Sequence, residues 1–594
     1  MASMLTWQQL RDLKLETLSH AGDGWGAASR HADSGRERIE GEISGPLRKT
    51  QESEAAQAAV KRLRRLGDNY HYIQAECGLI RGTLDGLAAE LTTQRRALTE
   101  ALDDAAALGH TVDVNGAVTY PAGGKNEQTG QEYPGGTVYG EDGTFTPGSA
   151  APSSGTNRLY QPGLGDVGGK VEVPNPHYAK AREIANSISL AVLRARSADD
   201  RYSAALAKLK AAAGLTVDAK TWADVASDTD SVSSSALPYL ADRVPLDKTP
   251  AERKDWWDHL SADERDEYLS AFPGLIGGLD GIPATTRDDA NRENLKLLIA
   301  QLGGRHDDVS KAQLEGMKGI QAKLDAGSNP PMFLLGIGDE GNGRAIVSYG
   351  NPDTAKNVST YVPGLGTALD ADFADDTVRR AFQTVKGARK YDQSTASIVW
   401  LGYDAPGLAE VASSGNAEKG APDYRNFMEG VEATNEHKDP HITAIGHSYG
   451  SLLVGTAARQ HGGIPGADDI VLLGSPGTGA QRADELNVGK GHVFSASAGN
   501  DPVTWLPGAH GLLGPAVDTY MDDQRWFGRD PASKEFGAVR IESGDGPLPL
   551  YLSGEGPTPA HSGYFDPDRN PSAANNIAKI VAGRSDNVTT EVPR

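Results

Sequence analysis

The sequence contains a single cysteine, Cys77, in 594 residues. A lone cysteine excludes an internal disulfide framework and a cysteine-based zinc site, so the stability of the fold has to come from packing. We expect Cys77 to be a small apolar core residue, because unpaired cysteines are among the most buried residue types. No cofactor is predicted.

Long apolar runs and positive charge are also scarce. No stretch of eighteen or more apolar residues is present, and the N-terminus lacks the charged and then apolar order of a secretory signal. The net charge of −22 makes nucleic acid and anionic lipid poor partners, because an acidic surface repels both. We therefore expect no nucleic-acid partner and no integral membrane segment, in a protein that is cytoplasmic or exported without a signal peptide.

Aromatic residues make up only 6% of the chain and hydrophobic residues 38%. Both fractions are low for a compact globule, and the length exceeds what one hydrophobic core normally supports. Several domains are therefore expected. The predicted order is a helical hairpin or coiled coil at 1–111, a Gly/Pro/Ser-rich linker at 112–175, a helical segment at 176–248, a further helical segment at 249–330 and an α/β domain at 331–594.

An apolar seam with seven-residue spacing runs through the N-terminal region. It predicts one long helix that needs an antiparallel partner, which the upstream residues supply. Trp25-Gly26 is expected near a helix boundary of this coil. The seam consists of Leu66, Tyr70, Ile73, Cys77, Ile80, Leu84, Leu87, Leu91, Leu98 and Ala105.

The Trp-Gly element in a helical hairpin resembles the WXG100-like substrates of actinobacterial type VII secretion. The resemblance implies a type VII-like export route and bears on location only. The alternative is an ordinary core tryptophan beside a turn. A helical protein partner, or self-association through the coil, is a further expectation, because such a seam can pack against another chain.

Residues 112–175 are dense in Gly, Pro, Ser and Thr without a sustained period. Such a segment buries too little apolar surface to offset its ordering entropy, so we predict an extended linker with a short hairpin around "GTVYGEDGTFTP". Helix is predicted to resume at Pro176, to run towards Leu209 and to pack back on the coil.

Two later helix starts are marked by reciprocal capping pairs. A pair of tryptophans between them is expected to anchor this segment through buried area rather than to form a ligand platform. The capping pairs are Thr249 with Glu252 and Ser261 with Glu264, and the tryptophans are Trp256 and Trp257.

From Pro331 onward, short β-rich runs alternate with helical stretches. The first two runs are joined by the turn-rich "DEGNG", which predicts an antiparallel hairpin, and most later pairs are far enough apart for a crossover helix. Nearly unbroken apolar runs are typical of strands covered on both faces. The eight runs are "MFLLGIG", "RAIVSYG", "VSTYVPG", "SIVWLGYD", "ITAIGHS", "IVLLGSPG", "HVFSASAG" and "AVRIESG".

The motif "IGHSYGS" places Ser448 between Gly446 and Gly450. In a chain with 71 glycines, a bare Gly-x-Ser-x-Gly pattern is weak evidence for a catalytic serine. The residues on either side of the motif decide whether Ser448 is a nucleophile. The strand "HITAIG" precedes the serine and the apolar-faced helix "SLLVGTAARQHGG" follows it. This order predicts a nucleophile elbow, a tight turn that presents a serine at the carboxyl edge of a sheet. The alternative is an ordinary turn serine.

With this elbow the chain resembles an α/β-hydrolase. In that fold the nucleophile follows the fifth strand, the acid commonly follows the seventh and the histidine follows the eighth. The predicted strands put Ser448, Asp501 and His561 at those three places. We expect an α/β-hydrolase fold with an eight-stranded, mostly parallel sheet, preceded by an all-α coiled helical region.

The three residues would divide the work of acyl transfer. His561 would accept the proton of Ser448 and return it to the leaving group, while Asp501 would hold the imidazole in the right tautomer. An oxyanion would need preorganised donors. The candidates are the backbone N–H groups of Tyr449 and of Gly364, Leu365 and Gly366 in "VPGLGT".

The acid has competitors. Asp501 precedes a proline and could instead cap the following turn. In that case Asp468 or Asp469, after the elbow helix, would serve as the acid.

The base also has a competitor. His561 could be a surface loop histidine, and His510 is the best substitute because it too follows the seventh strand. His447 adjoins Ser448, and its ring is expected to point away from Oγ and to line the sheet or the helix. Residues after the fourth strand, from "LGYDAPG" onward, are expected to edge the pocket or to act as a lid.

The combined motifs narrow the resemblance. The stretches "NPDTAKNVSTYVPGLGT", "GHSYGS", "GNDPV", "FGRDPASKEFGA" and "HSGYFD", with the upstream "WWDHLSADERDEYL" and "GLDGIPATTRDDANR", are similar to the actinobacterial α/β-hydrolase family DUF1023. The similarity covers about Thr249 to Arg584. It implies a Ser, Asp, His hydrolase without a metal, with Ser448, Asp501 and His561 as the triad.

Two functions are therefore open. The first is a serine esterase of the carboxylester hydrolase class (EC 3.1.1) that acts on a small acyl substrate through an acyl-enzyme on Ser448. Ester rather than amide hydrolysis rests on the general habits of the fold. The second is a secreted effector or interaction protein in which the N-terminal coil has the main role.

Overall fold

The computed structural model describes residues 5–51, 53–140, 175–210, 217–240, 243–505, 524–548 and 559–594. The chain forms two compact units. One comprises Met1–Val217 with Ser227–Arg243, and the other comprises Asp218–Ala226 with Val244–Arg594. The alternative base His510 and most of the hairpin predicted around "GTVYGEDGTFTP" lie outside the described residues.

The first unit is built around one long helix. Its helices are α1 (Trp7–Asp12), α2 (Glu16–Glu37), α3 (Gly45–Thr50), α4 (Glu54–Ala107) and α5 (Tyr178–Leu206), with a π-helical stretch at Arg38–Ser44. The long helix, α4, packs against α2 and α5, so the predicted return of the later helix onto the coil is observed.

Trp25 and Gly26 lie inside α2, so the prediction of a helix boundary there is wrong. Gly26 is needed for close approach to α4, because a Cβ atom at this position would lie 2.7 Å from Cδ of Arg81. The glycine therefore lets two helices approach and does not end one. Trp25 itself is 42% exposed, which also contradicts the core-tryptophan alternative.

The apolar seam on α4 is buried only in part. Cys77, Leu87, Leu91, Leu98 and Ala105 are buried, as predicted. The start of the seam is different, because Leu66 and Ile73 are 44% and 45% exposed. The prediction of a continuous buried seam is therefore wrong for its first two turns.

Strands occupy the described part of the predicted linker. β1 (Thr111–Val112), β2 (Val118–Tyr120) and β5 (Gly136–Val138) form a three-stranded antiparallel sheet, and β3 (Gly123–Lys125) pairs with β4 (Glu132–Tyr133). The expectation of an extended chain does not hold there. The cause is local burial, since Val118, Tyr120 and Val138 are buried and β2 and β5 contact α5.

The second unit begins with helices that precede the sheet. Both predicted capping boxes are present, and Trp257 is buried. These helices are α7 (Pro250–His259), α8 (Ala262–Ala271), α9 (Pro273–Gly278), α10 (Ala284–Leu302) and α11 (Asp308–Ala326), and α6 (Ala219–Leu240) precedes them.

Eight strands form one mostly parallel sheet, as predicted. The strands are β6 (Met332–Gly338), β7 (Arg344–Tyr349), β8 (Asn357–Val362), β9 (Thr395–Leu401), β10 (His441–His447), β11 (Ala467–Leu473), β12 (Val493–Ala496) and β15 (Val539–Arg540). Their spatial order is β15-β12-β11-β10-β8-β9-β7-β6. The hairpin β6–β7 and the pair β7–β9 are antiparallel, and the remaining pairs are parallel. A separate hairpin consists of β13 (Gln524–Arg525) and β14 (Gly528–Arg529).

Helices cover both faces of this sheet. Neighbouring residues of one strand enter different cores, as Ala444 and Ile445 of β10 do, which explains the unbroken apolar runs. The covering helices include α12 (Val378–Ala388), α13 (Gly415–Thr434), α14 (Gly450–Ala458) and a last helix at Pro571–Val581. No described helix combines the length and hydrophobicity needed to span a bilayer.

Candidate active site

Ser448 lies in the turn between β10 and α14. Its φ angle is 56°, in the left-handed region that non-glycine residues rarely adopt. Such strain costs on the order of 1–3 kcal/mol and persists only where the surroundings enforce it. Here the Ser448 N–H donates to the carbonyl of Leu473 at 2.9 Å, and the Ser448 carbonyl accepts from the Ser451 N–H at 3.0 Å.

The two glycines of the motif make this turn sterically possible. A Cβ atom at Gly446 would lie 2.5 Å from Cα of Ser451, and one at Gly450 would lie 2.1 Å from the carbonyl oxygen of Val362. Neither gap admits a side chain. The strand, the turn and the following helix therefore have the arrangement of a nucleophile elbow.

Asp501 and His561 form a buried hydrogen-bonded pair. Nδ1 of His561 lies 3.0 Å from Oδ1 and 2.9 Å from Oδ2 of Asp501. Asp501 follows β12, and His561 lies in the short helix Pro559–Ser562, which follows β15. Because a carboxylate only accepts, Nδ1 carries the proton, which leaves Nε2 as the basic nitrogen.

The end of β11 lies between this pair and the elbow. Leu473 accepts the Ser448 N–H, and the next residue, Gly474, is so close to the pair that a Cβ atom would lie 2.6 Å from Oδ2 of Asp501 and 2.8 Å from Nδ1 of His561. Within the described part of the chain, no hydrogen bond joins Ser448 Oγ to the imidazole. The serine is connected to the pair through backbone and neighbouring residues.

His447 makes a second connection, which sequence reasoning missed. Its Nε2 lies 2.7 Å from the carbonyl oxygen of His561, and the two imidazole ring centroids are 4.5 Å apart. Burial, together with the nearby His561 and Arg380, lowers the pKa of His447 well below its ordinary value. His447 therefore supports the short helix that carries His561, besides occupying its place in the sheet.

The segment after β8 lies directly against the elbow. A Cβ atom at Gly364 would be 2.7 Å from Cβ of Ser448 and 2.8 Å from the backbone nitrogen of Tyr449. Among the described hydrogen bonds, none uses the N–H of Tyr449, Gly364 or Leu365 as donor. The N–H of Gly366 donates to the carbonyl of Pro406, so Gly366 is not an available donor and that part of the expectation is wrong.

The residues after β9 are attached to both sides of this site. The Pro406 carbonyl accepts the bond from Gly366 at 2.9 Å, and the hydroxyl of Tyr449 donates to the Ser413 carbonyl at 2.6 Å. Between these anchors, Leu408 is 84% exposed. The stretch 406–413 thus edges the elbow, where the sequence placed a pocket edge or lid.

The alternative acids lie at the wrong edge of the sheet. In the parallel pairing of β10 with β11, Asp469 is opposite Thr443 and Leu473 is opposite His447. Asp469 is bonded there to Nδ1 of His492 at 2.7 Å. Asp468 and Asp469 therefore begin β11, whereas Ser448 follows the end of β10.

Tyr564 is a further residue of the site that no sequence pattern indicated. Its hydroxyl oxygen lies 2.6 Å from Oδ2 of Asp501, and its ring is fully buried. It stands three positions after His561 in "HSGYFD". A tyrosine three positions after a histidine can equally be an aromatic residue that only packs in the core or one that bonds to Asp501, so the spacing alone could not identify its role.

The residues 339–510 match a family model described as alpha/beta hydrolase. The uncharacterised protein Rv0963c of Mycobacterium tuberculosis is 36% identical over 228 residues, which cover 37% of this chain and 84% of that protein. The uncharacterised protein Rv2079 of the same species is 28% identical over 403 residues, which cover 61% of this chain. The alignment spans 60% of the length of Rv2079.

Proposed function

Because this chain belongs to the α/β-hydrolase family, we propose that it is a serine hydrolase that forms an acyl-enzyme on Ser448. Asp501 and His561 complete the triad. The observation that carries the proposal is the bonded Asp501–His561 pair beside a serine with a φ angle of 56°.

The first step would be attack of Ser448 Oγ on the carbonyl carbon of the substrate. Nε2 of His561 takes the hydroxyl proton as the new C–O bond forms. The positive imidazolium is stabilised by the carboxylate of Asp501. The tetrahedral intermediate then collapses: its bond to the leaving oxygen breaks as the imidazolium protonates that oxygen, and the alcohol departs from the acyl-enzyme. In the second half, Nε2 takes a proton from a water molecule that adds to the acyl carbon, and the bond to Ser448 Oγ breaks as Oγ is reprotonated, which releases the carboxylic acid.

The negative oxygen of the tetrahedral intermediate needs donors that are already in place. The N–H groups of Tyr449 and of Gly364 or the following Leu365 suit this role, because Gly364 lies against Ser448 and Tyr449 and the described chain gives none of the three N–H groups another acceptor. Each such donor is worth on the order of 10²-fold in rate. The start of α14 beneath the serine adds its favourable dipole.

Substrate class and narrower family are also part of the proposal. We assign the chain to the actinobacterial family DUF1023, on the motifs given above and on the similarity to mycobacterial proteins. Carboxylesters with small acyl groups are the proposed substrates, by analogy with the general habits of the fold.

Labelling and turnover test this function together. The whole chain should hydrolyse p-nitrophenyl esters of graded acyl length and react with a fluorophosphonate probe, and Ser448→Ala should lose both. Ser359→Ala is a matched control, since Ser359 is a buried serine whose hydroxyl bonds Ser397 within the same sheet. Undiminished labelling of Ser448→Ala, or its loss in Ser359→Ala alone, would contradict the proposal.

A further inference from the structure

The carboxylate of Asp501 is held by two donors besides His561. The backbone N–H of Val503 donates to Oδ1 at 2.9 Å, and the hydroxyl of Tyr564 lies 2.6 Å from Oδ2. The Tyr564 oxygen also accepts the N–H of Ala498 at 2.9 Å. Since an N–H can only donate and a carboxylate can only accept, the single phenolic proton must point at Asp501.

We propose that Tyr564 is a positioning residue that acts through Asp501 to fix the orientation of His561 and to moderate its proton affinity, an inference that rests on the proposed hydrolase function. Tyr564 is buried between the end of β12 and the helix that carries His561. Substrate is not required to touch it.

The orientation of the His561 ring follows from the geometry of the Asp501 carboxylate. Nδ1 of His561 faces both oxygens of Asp501 at nearly equal distances, 3.0 and 2.9 Å. This symmetric arrangement needs a carboxyl group that does not rotate. Val503 fixes one oxygen and Tyr564 fixes the other, so removal of the phenol leaves Oδ2 with His561 as its partner among the described residues.

The proton affinity of His561 depends on how much of the negative charge of Asp501 is shared with the Tyr564 hydroxyl. A charge-assisted bond from the phenol draws negative charge towards Tyr564, which weakens the hold of Asp501 on the imidazolium proton. His561 must release that proton to the leaving group, so an acid that holds it too strongly slows the reaction. Burial and the Asp501 charge raise the pKa of Tyr564 well above its ordinary value, so the phenol stays a donor.

Other charged or titratable groups surround the pair and would stay in place in the variants below. His447 of β10 faces His561, Arg380 of α12 lies near His447, and Arg594 acts on Tyr564. Loss of the Tyr564 hydroxyl therefore removes the donor to Asp501 and the acceptor of the Ala498 N–H, and leaves these groups in place.

Tyr564→Phe removes that donor and keeps the ring. We expect the acid limb of the kcat/KM profile to move to higher pH by on the order of one unit, with kcat reduced about tenfold and KM nearly unchanged. Tyr424→Phe is the matched control. Tyr424 is also a fully buried tyrosine and bonds Thr360 in the same unit, so its variant should share any loss of stability but not the shift.

Titration of His561 gives a readout that needs no turnover. In the full chain with carbon-labelled histidine, the His561 signal is assigned from its loss in His561→Gln. Its midpoint should rise in Tyr564→Phe and fall when 3-fluorotyrosine, a stronger donor, replaces Tyr564 alone. The second variant also covers the case in which the phenylalanine variant does not fold.

An unchanged midpoint in both variants, or a shift of equal size in Tyr424→Phe, would overturn the role of Tyr564. If the wild-type chain neither hydrolyses esters nor takes the fluorophosphonate label, the proposed function fails instead. The two failures are distinguishable, because the histidine titration is measured on the free protein.

Discussion

Nε2 of His447 lies 2.7 Å from the carbonyl oxygen of His561. Since a carbonyl only accepts, Nε2 carries the proton. A side chain next to the elbow serine therefore holds the backbone of the histidine that follows the last strand. Two segments separated by more than a hundred positions are joined at this point, and each of them contributes a residue to the proposed triad.

Acid should destabilise the fold through His447. Its pKa is far below the ordinary value in the folded protein, whereas in the unfolded chain it titrates near 6.5. Between these two values the unfolded state binds more protons, so stability falls as the pH drops below about 6.5, by up to about 1.4 kcal/mol per pH unit.

His447→Gln, which does not titrate, should flatten this dependence in urea unfolding measured above and below that pH. His461→Gln is the control, because His461 is exposed. Equal acid sensitivity in wild type and in His447→Gln would disprove the assignment.

Asp501→Asn should preserve the shape of the site and lose most of its activity. The amide cannot stabilise an imidazolium and presents a donor to His561 or Tyr564, both of which also donate there. A decrease in kcat/KM on the order of 10⁴-fold is expected from ester hydrolysis assays. Asp468→Asn should be close to wild type, because Asp468 lies at the start of β11; the reverse pattern would restore Asp468 as the acid.

Gly364→Ala should block the proposed oxyanion site. The added methyl group would lie 2.7 Å from Cβ of Ser448 and 2.8 Å from the Tyr449 nitrogen, so kcat should fall on the order of 10²-fold. Gly407→Ala is the matched control on the adjoining loop, where a Cβ atom meets nothing within 4 Å. Similar rates for both variants would argue against an oxyanion role for this segment.

Two glycines of α2 should respond in opposite directions. Gly24→Ala adds a methyl group in open space and should stabilise the helix by about 0.5–1 kcal/mol. Gly26→Ala gains the same helix propensity, but its Cβ would lie 2.7 Å from Cδ of the buried Arg81. Because this overlap forces the packed arginine to move, the substitution should destabilise the first unit. Thermal unfolding of the two variants measures both effects, and equal stabilisation by both would contradict the steric role of Gly26 against Arg81.

The α/β domain was predictable because its signals are local and repeated. Each of the eight apolar runs became a strand of the sheet, and the positions of Ser448, Asp501 and His561 along the chain follow the strand order expected for this fold. Parallel strands then bring their carboxyl ends to one edge, which is why Asp501 and His561 meet although sixty positions separate them.

The features that the sequence predicted wrongly, or did not indicate, have equally physical causes. The glycine beside Trp25 indicates a helix end by composition, but contact with Arg81 of another helix is a tertiary requirement that local sequence does not encode. Likewise, His447 and Tyr564 are common buried residue types, and only the geometry shows that one bonds the backbone and the other the acid. The predicted linker lacks apolar content, yet burial of three side chains was enough to order short strands.

The loop between Pro406 and Ser413 is attached through main-chain carbonyls at both ends, to Gly366 and to Tyr449. Its intervening side chains, Leu408 among them, make no contribution to those attachments. Because both attachments use backbone carbonyls, a change of side chain at the exposed Leu408 would leave this loop anchored beside the elbow.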